Sequence, residues 1–118
     1  MTNKYLFDIA KHIHDLYDIS DVKVYEFLKD HLYLLIVLEI IPIHIKKFFG
    51  NRKLKLEYYV DPEIEDLNYL LINIIVNGLT VKDSLDMLSK FCKEYWVIEL
   101  KDKNIRKNLM IDVRYEKD

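Results

Sequence analysis

Four acids crowd into the stretch VDPEIED, residues 60–66: Asp61, Glu63, Glu65 and Asp66. Clustered carboxylates are what a hard cation or an acid/base pair requires. A calcium loop, however, spreads its oxygen ligands over about a dozen residues, with a glycine at the sharp bend and a distal bidentate glutamate. This stretch has no glycine and carries Pro62. Asp61–Pro62 starts a turn, because an aspartate side chain accepts from backbone amides just ahead of it and proline fixes φ. The segment therefore reads as a solvated turn between two strands, its carboxylates pointing into water.

The histidines give no stronger signal. His12 and His14, in KHIHD, could chelate on a strand, but on a helix they sit ~200° apart and cannot grip one ion. Ion pairing explains them more simply, since His12 follows Asp8 by four residues and His14 precedes Asp18 by four. His31 and His44 are isolated in sequence. Cys92 is the single cysteine, too few for a disulfide or a cysteine zinc site, and its place on the apolar face of a predicted helix suits a buried thiol. None of Ser20, Ser84 and Ser89 lies in a Gly-x-Ser-x-Gly elbow. With Gly50 and Gly78 as the only glycines, no phosphate-cradling loop exists. These residues assign no catalytic group, no metal site and no cofactor.

The elements that would position any site follow from periodicity. Tyr5, Leu6, Ile9, Ile13, Leu16 and Tyr17 recur at three and four and predict a helix, capped by Thr2 or Asn3. VKVYEFL (22–28) and LYLLIVLEI (32–40) are expected to be strands about a tight turn, the second central and covered on both faces; a buried helix is the competing reading. Residues 41–53, with Pro42 and Gly50 as breakers, are expected to form an irregular connection. LKLEYYV (54–60) and YLLINIIV (69–76) alternate as a hairpin. Thr80 and Asp83 cap a helix whose stripe is Val81, Leu85, Leu88, Cys92 and Tyr95. LMIDVRY (109–115) is a closing strand. The expected fold is a single α+β domain over 1–118: a two-layer sandwich in the order α-β-β-β-β-α-β, with two helices on one face of a mainly antiparallel sheet of about five strands.

A chain of 118 residues holds one core, with roughly 65% of its unfolded surface buried. A net charge of −2 supplies no field for nucleic acid or anionic lipid, and Arg52, Arg106 and Arg114 are the only arginines. Two basic clusters, Lys46, Lys47, Arg52, Lys53 and Lys55 and then Lys101, Lys103, Arg106 and Lys107, read as solvated rims. Phe48, Phe49, Tyr58 and Tyr59 beside the first leave single-stranded nucleic acid as an alternative partner. The amino terminus is not a signal peptide, and the longest apolar run, Leu32 to Ile45, is broken by Glu39, Pro42 and His44. A soluble cytoplasmic protein with no membrane partner is the expectation.

If the helices cover one sheet face, the other carries Tyr59, Leu71, Asn73, Ile75, Met110 and Arg114, with Lys55 and Asp112 at its rim. An apolar patch framed by charge is a candidate surface for a protein partner or a second copy. The segments YYVDPEIEDLNYLLINIIV, TVKDSLDMLSKFCKEYW and LMIDVRYE resemble small uncharacterised prokaryotic proteins: strand, acidic Asp-Pro turn, strand, capped helix ending in an aromatic pair (here Tyr95–Trp96) and closing strand. The resemblance covers about half the chain and implies an accessory protein, one half of a toxin–antitoxin or immunity pair. The leading functional reading is a non-catalytic protein-binding module; the alternatives are a small metal-dependent hydrolase or nuclease assembled from scattered His, Asp and Glu, and a single-stranded nucleic-acid binder.

Overall fold

Alternating apolar residues place the hairpin first. In the computed structural model, which describes residues 11–64, 66–96 and 103–116, β1 (Leu54–Val60) and β2 (Asn68–Ile75) pair antiparallel. Leu54 lies opposite Ile74, Leu56 opposite Ile72 and Tyr58 opposite Leu70. The acidic segment between them is a turn. Asp61 Oδ1 accepts from the amides of Glu63 and Ile64, both at 2.8 Å, and Asp66 takes a left-handed φ of 66° that a short polar side chain tolerates.

β3 (Leu109–Arg114) pairs with β2 in parallel, so the sheet is mixed, in the order β1-β2-β3. Parallel neighbours need a long crossover. It contains α4 (Val81–Phe91), widened at its end into a π-turn over Cys92–Trp96, and a short α5 (Lys103–Asn108) leading into β3.

The amino-terminal half overturns the five-stranded expectation. Residues 22–28 and 32–40 are not strands: the chain forms α2 (Lys23–Asp30) and α3 (Tyr33–Phe49), and α3 runs on through most of the stretch expected to be irregular. Together with α1 (11–16), α4 and α5, five helices accompany three strands among the described residues. The α+β class stands; the mainly antiparallel sheet of about five strands with two helices does not. In α2 the buried residues are Val24, Phe27 and Leu28, spaced three and four, a helical face that partial alternation in VKVYEFL disguises. In α3 nearly every residue is apolar, so periodicity carries little signal there. Its inward face is Leu34, Leu35, Leu38, Ile41, Ile45 and Phe49. The predicted first helix is seen as α1; Tyr5, Leu6, Ile9 and the caps Thr2 and Asn3 lie outside the described residues.

Pro42 stands inside α3 rather than ending it. Proline has no amide to donate to the carbonyl four residues back, and its ring pushes that carbonyl outward. The carbonyl is that of Leu38, and the buried Tyr17 hydroxyl donates to it at 2.8 Å. A phenol from the chain segment after α1 thus replaces the missing backbone donor.

The Thr80 cap is as expected: its Oγ1 accepts from the Asp83 amide at 3.0 Å. Of the predicted stripe, Leu88, Cys92 and Tyr95 do meet the core, but the start of the helix is turned away from it. Val81 and Leu85 are 64% and 52% exposed, whereas Ser84 and Phe91 are buried. Ser84 can face inward because its hydroxyl donates to the Thr80 carbonyl at 2.9 Å and meets the Tyr115 hydroxyl at 3.1 Å. Replacing Thr80 with alanine is expected to cost about 1 kcal/mol of stability, measured by urea denaturation.

One core cluster joins the helices to one sheet face, through Leu54, Leu56, Leu70, Ile72, Ile74 and Leu109. Among the described residues no helix is long and apolar enough to cross a membrane.

Candidate functional site

Strand alternation sends Lys55, Glu57 and Tyr59, then Tyr69, Leu71, Asn73 and Ile75, then Met110, Asp112 and Arg114 to the face opposite the core cluster. The six residues singled out from sequence (Tyr59, Leu71, Asn73, Ile75, Met110 and Arg114) do share this face. They are not equally available. Tyr59, Met110 and Arg114 are exposed and Leu71 is half-buried, but Asn73 and Ile75 are buried.

The exposed part has defined geometry. Tyr59 and Tyr69 stack with ring centroids 4.8 Å apart, a cross-strand aromatic pair. Burial, and next the Tyr59 phenol beside it, push the Tyr69 hydroxyl above the ordinary tyrosine range. Beside them Glu57 Oε1 accepts from Asn73 Nδ2 and, at 2.6 Å, from Arg114 Nη1. That contact ties the outer strands together across β2. At one end Glu116 takes Lys53 at 3.3 Å and Lys55 at 2.5 Å. Those two bonds hold its carboxyl below the usual range.

The histidines scatter. His12 Nδ1 lies 3.2 Å from Glu39 Oε1, and His14 Nδ1 lies 2.8 Å from the Tyr25 hydroxyl. The expected partner of His12, Asp8, lies outside the described residues, and His14 meets Tyr25 rather than Asp18. His31 donates through Nδ1 to the Phe27 carbonyl and stacks on the Phe27 ring, while His44 stacks on Tyr95. Among the described residues no three His, Cys, Asp or Glu side chains converge as a metal site would. Cys92 is half-buried, and burial, then nearby Asp112, raise its thiol above the ordinary value, away from a reactive thiolate.

The first basic cluster does not converge either. Arg52 donates to the Asn77 carbonyl at 2.7 Å, and Lys53 and Lys55 share Glu116. Phe48 and Phe49 pack on Phe91 instead of forming a stacking platform. Of the second cluster, Lys101 and the Lys103 side chain lie outside the described residues. A cleft of about 350 Å³ between α2 and β1 is lined by Lys23, Glu26, Phe27, Asp30, Tyr58 and Val60.

Sequence reasoning missed a second apolar surface. Tyr33, Ile36, Ile40 and Ile43 recur at three, four and three along the outer side of α3, and the three isoleucines are 57%, 44% and 60% exposed. The spacing was legible in LYLLIVLEIIPI once the run is wound as a helix; read as a strand, it splits between two faces.

Comparison of the chain with protein-family models, with characterised proteins and with solved structures found no match.

Proposed function

We propose that this chain is a non-catalytic protein-binding module that takes its partner on the open sheet face. The observation that carries the reading is the set of exposed Tyr59 and Met110 with half-buried Tyr69 and Leu71, framed by Glu57, Asp112 and Arg114. Tyrosine, methionine and arginine are the residues enriched in interface cores, and a rigid stacked tyrosine pair offers contact area with little ordering cost. The partner implied by the resemblance is the other half of a two-gene toxin–antitoxin or immunity pair, a cognate protein and not a small molecule.

The experiment uses the purified chain as bait for its cognate partner. Met110→Asp and Leu71→Asp are expected to weaken capture by at least about 30-fold, the scale of an interface hot spot. Ile36→Asp and Ile43→Asp, on α3, are expected to leave it unchanged. Capture lost only in the α3 variants moves the contact to the helix; capture kept in all four ends the assignment. Ile75→Asp is unsuited to this comparison, since Ile75 is buried and its change would disturb the fold.

A further inference from the structure

A sheet of three strands has two edges. On the outer edge of β1 the backbone of Asp18 is already paired: its amide donates to the Leu54 carbonyl at 2.8 Å, and its carbonyl accepts from the Leu56 amide at 3.1 Å. β3 has no second strand neighbour among the described residues. The Arg114 carbonyl accepts from the Val76 amide at 3.0 Å, so Met110, Asp112 and Arg114 turn their backbone groups toward β2. Ile111 and Val113 turn theirs outward. The Val113 amide bears this out, because its partner is the side chain of the preceding residue, Asp112 Oδ1, at 2.8 Å.

We infer that a second copy of this chain pairs with β3 in antiparallel fashion, joining two three-stranded sheets into one of six strands. An antiparallel edge pairs only in registers that match its outward amides, and the side chains select among these. Centring the twofold on Ile111 sets Asp112 against Met110 of the second copy. Centring it on Asp112 sets two like carboxylates face to face, which is unfavourable. Centring it on Val113 makes Val113 and its mate a hydrogen-bonded pair. Ile111 then lies against Tyr115, and Asp112 and Arg114 meet in two reciprocal pairs. Those pairs fall at the non-hydrogen-bonded positions, where opposing side chains approach most closely. The strand is thus complementary in charge to its own reverse, as an isologous interface requires. Both aspartates and both arginines lie on the open face, so pairing also doubles that face. In the lone chain Asp112 caps the Val113 amide and protects the edge; on pairing it turns to Arg114 of the second copy and frees that amide for main-chain bonding.

This inference does not depend on what the sheet face binds, and its test is the mass of the purified chain in solution. Light scattering over a dilution series is expected to give twice the 14.3 kDa chain mass at high concentration, falling toward 14.3 kDa on dilution. Asp112→Arg and Arg114→Asp each replace two opposite pairs with two like ones and should raise the dissociation constant about 100-fold. Mixed in equal amounts, these two variants regain complementarity and should form a heterodimer. Val113→Pro removes the outward amide without touching charge or the bonds to β2, and should also be monomeric. A monomeric wild type at every concentration overturns the inference. So does undiminished dimerisation of the single variants, which would place the contact elsewhere, or failure of the mixed variants to associate while each remains folded by circular dichroism.

Discussion

Phe91→Ala is expected to remove about 3–5 kcal/mol of stability, the largest loss for a single truncation in α4. Phe91 is fully buried at the end of that helix, and four aromatic rings surround it. Phe48 meets it edge-on at 5.4 Å and Tyr95 lies at 5.3 Å, with Phe49 and Trp96 both at 6.3 Å. These neighbours come from the end of α3 and from the π-turn, so one side chain joins the helical layer to the start of the crossover. Deleting the ring forfeits its transfer energy, and the rings around it are too stiff to close the space. The lone tryptophan, Trp96, reports the change directly, since it packs against the deleted ring. Urea unfolding followed by its fluorescence should show the midpoint falling by about 1–3 M. Val81→Ala is the control: Val81 sits on the stripe expected from sequence but is exposed, so its loss should stay within about 0.5 kcal/mol. Equal effects at the two positions would contradict the turning of the start of α4 away from the core.

Tyr17→Phe is expected to cost about 1–3 kcal/mol, far more than a surface hydroxyl is worth, because it leaves the Leu38 carbonyl without the donor that replaces the amide missing at Pro42. The two residues should therefore be coupled. Pro42→Ala restores a backbone amide able to reach Leu38, and in that background Tyr17→Phe should cost markedly less; a double-mutant cycle on urea midpoints reads the difference. Purely additive losses would show that the phenol is not serving the proline gap. Tyr17 also carries a pH signature. Burial first, and Tyr95 second, raise its phenol well above 10.0. The contribution of this buried neutral group is fully present below the unfolded value and is lost as pH rises through the raised folded one. Alkaline destabilisation should begin near the ordinary tyrosine range and be weaker in Tyr17→Phe.

The same residues show why half of the fold was legible in the sequence and half was not. In LKLEYYV and YLLINIIV every second residue is apolar, and one face of each strand meets the core, so period and burial agree. The Asp61–Pro62 turn and the Thr80 cap are local: the partners lie within three residues, and residue type alone specifies the bond. LYLLIVLEIIPIHIKKFF is different. An apolar run fits a buried strand and a buried helix equally, and Pro42 reads as a breaker unless a distant donor is known. That donor, Tyr17, is 21 residues away from the carbonyl it serves. The side of α4 that turns inward was hidden for a related reason. A serine can take the inward side ahead of a valine and a leucine because its hydroxyl donates to the Thr80 carbonyl and meets a distant hydroxyl, Tyr115, at the end of β3.

The sequence by itself determined the hairpin, the capped helix, the closing strand and the identity of the residues on the second sheet face, because each depends on spacing within one short segment. Only the tertiary structure decided that Lys23–Asp30 and Tyr33–Phe49 are helical, that β3 runs parallel to β2, that Asn73 and Ile75 are withdrawn while Tyr59, Tyr69, Met110 and Arg114 stay in reach, and that α3 presents isoleucines outward. Those outcomes depend on which distant group satisfies a backbone carbonyl, a buried hydroxyl or a strand edge, and sequence spacing does not encode distance in space.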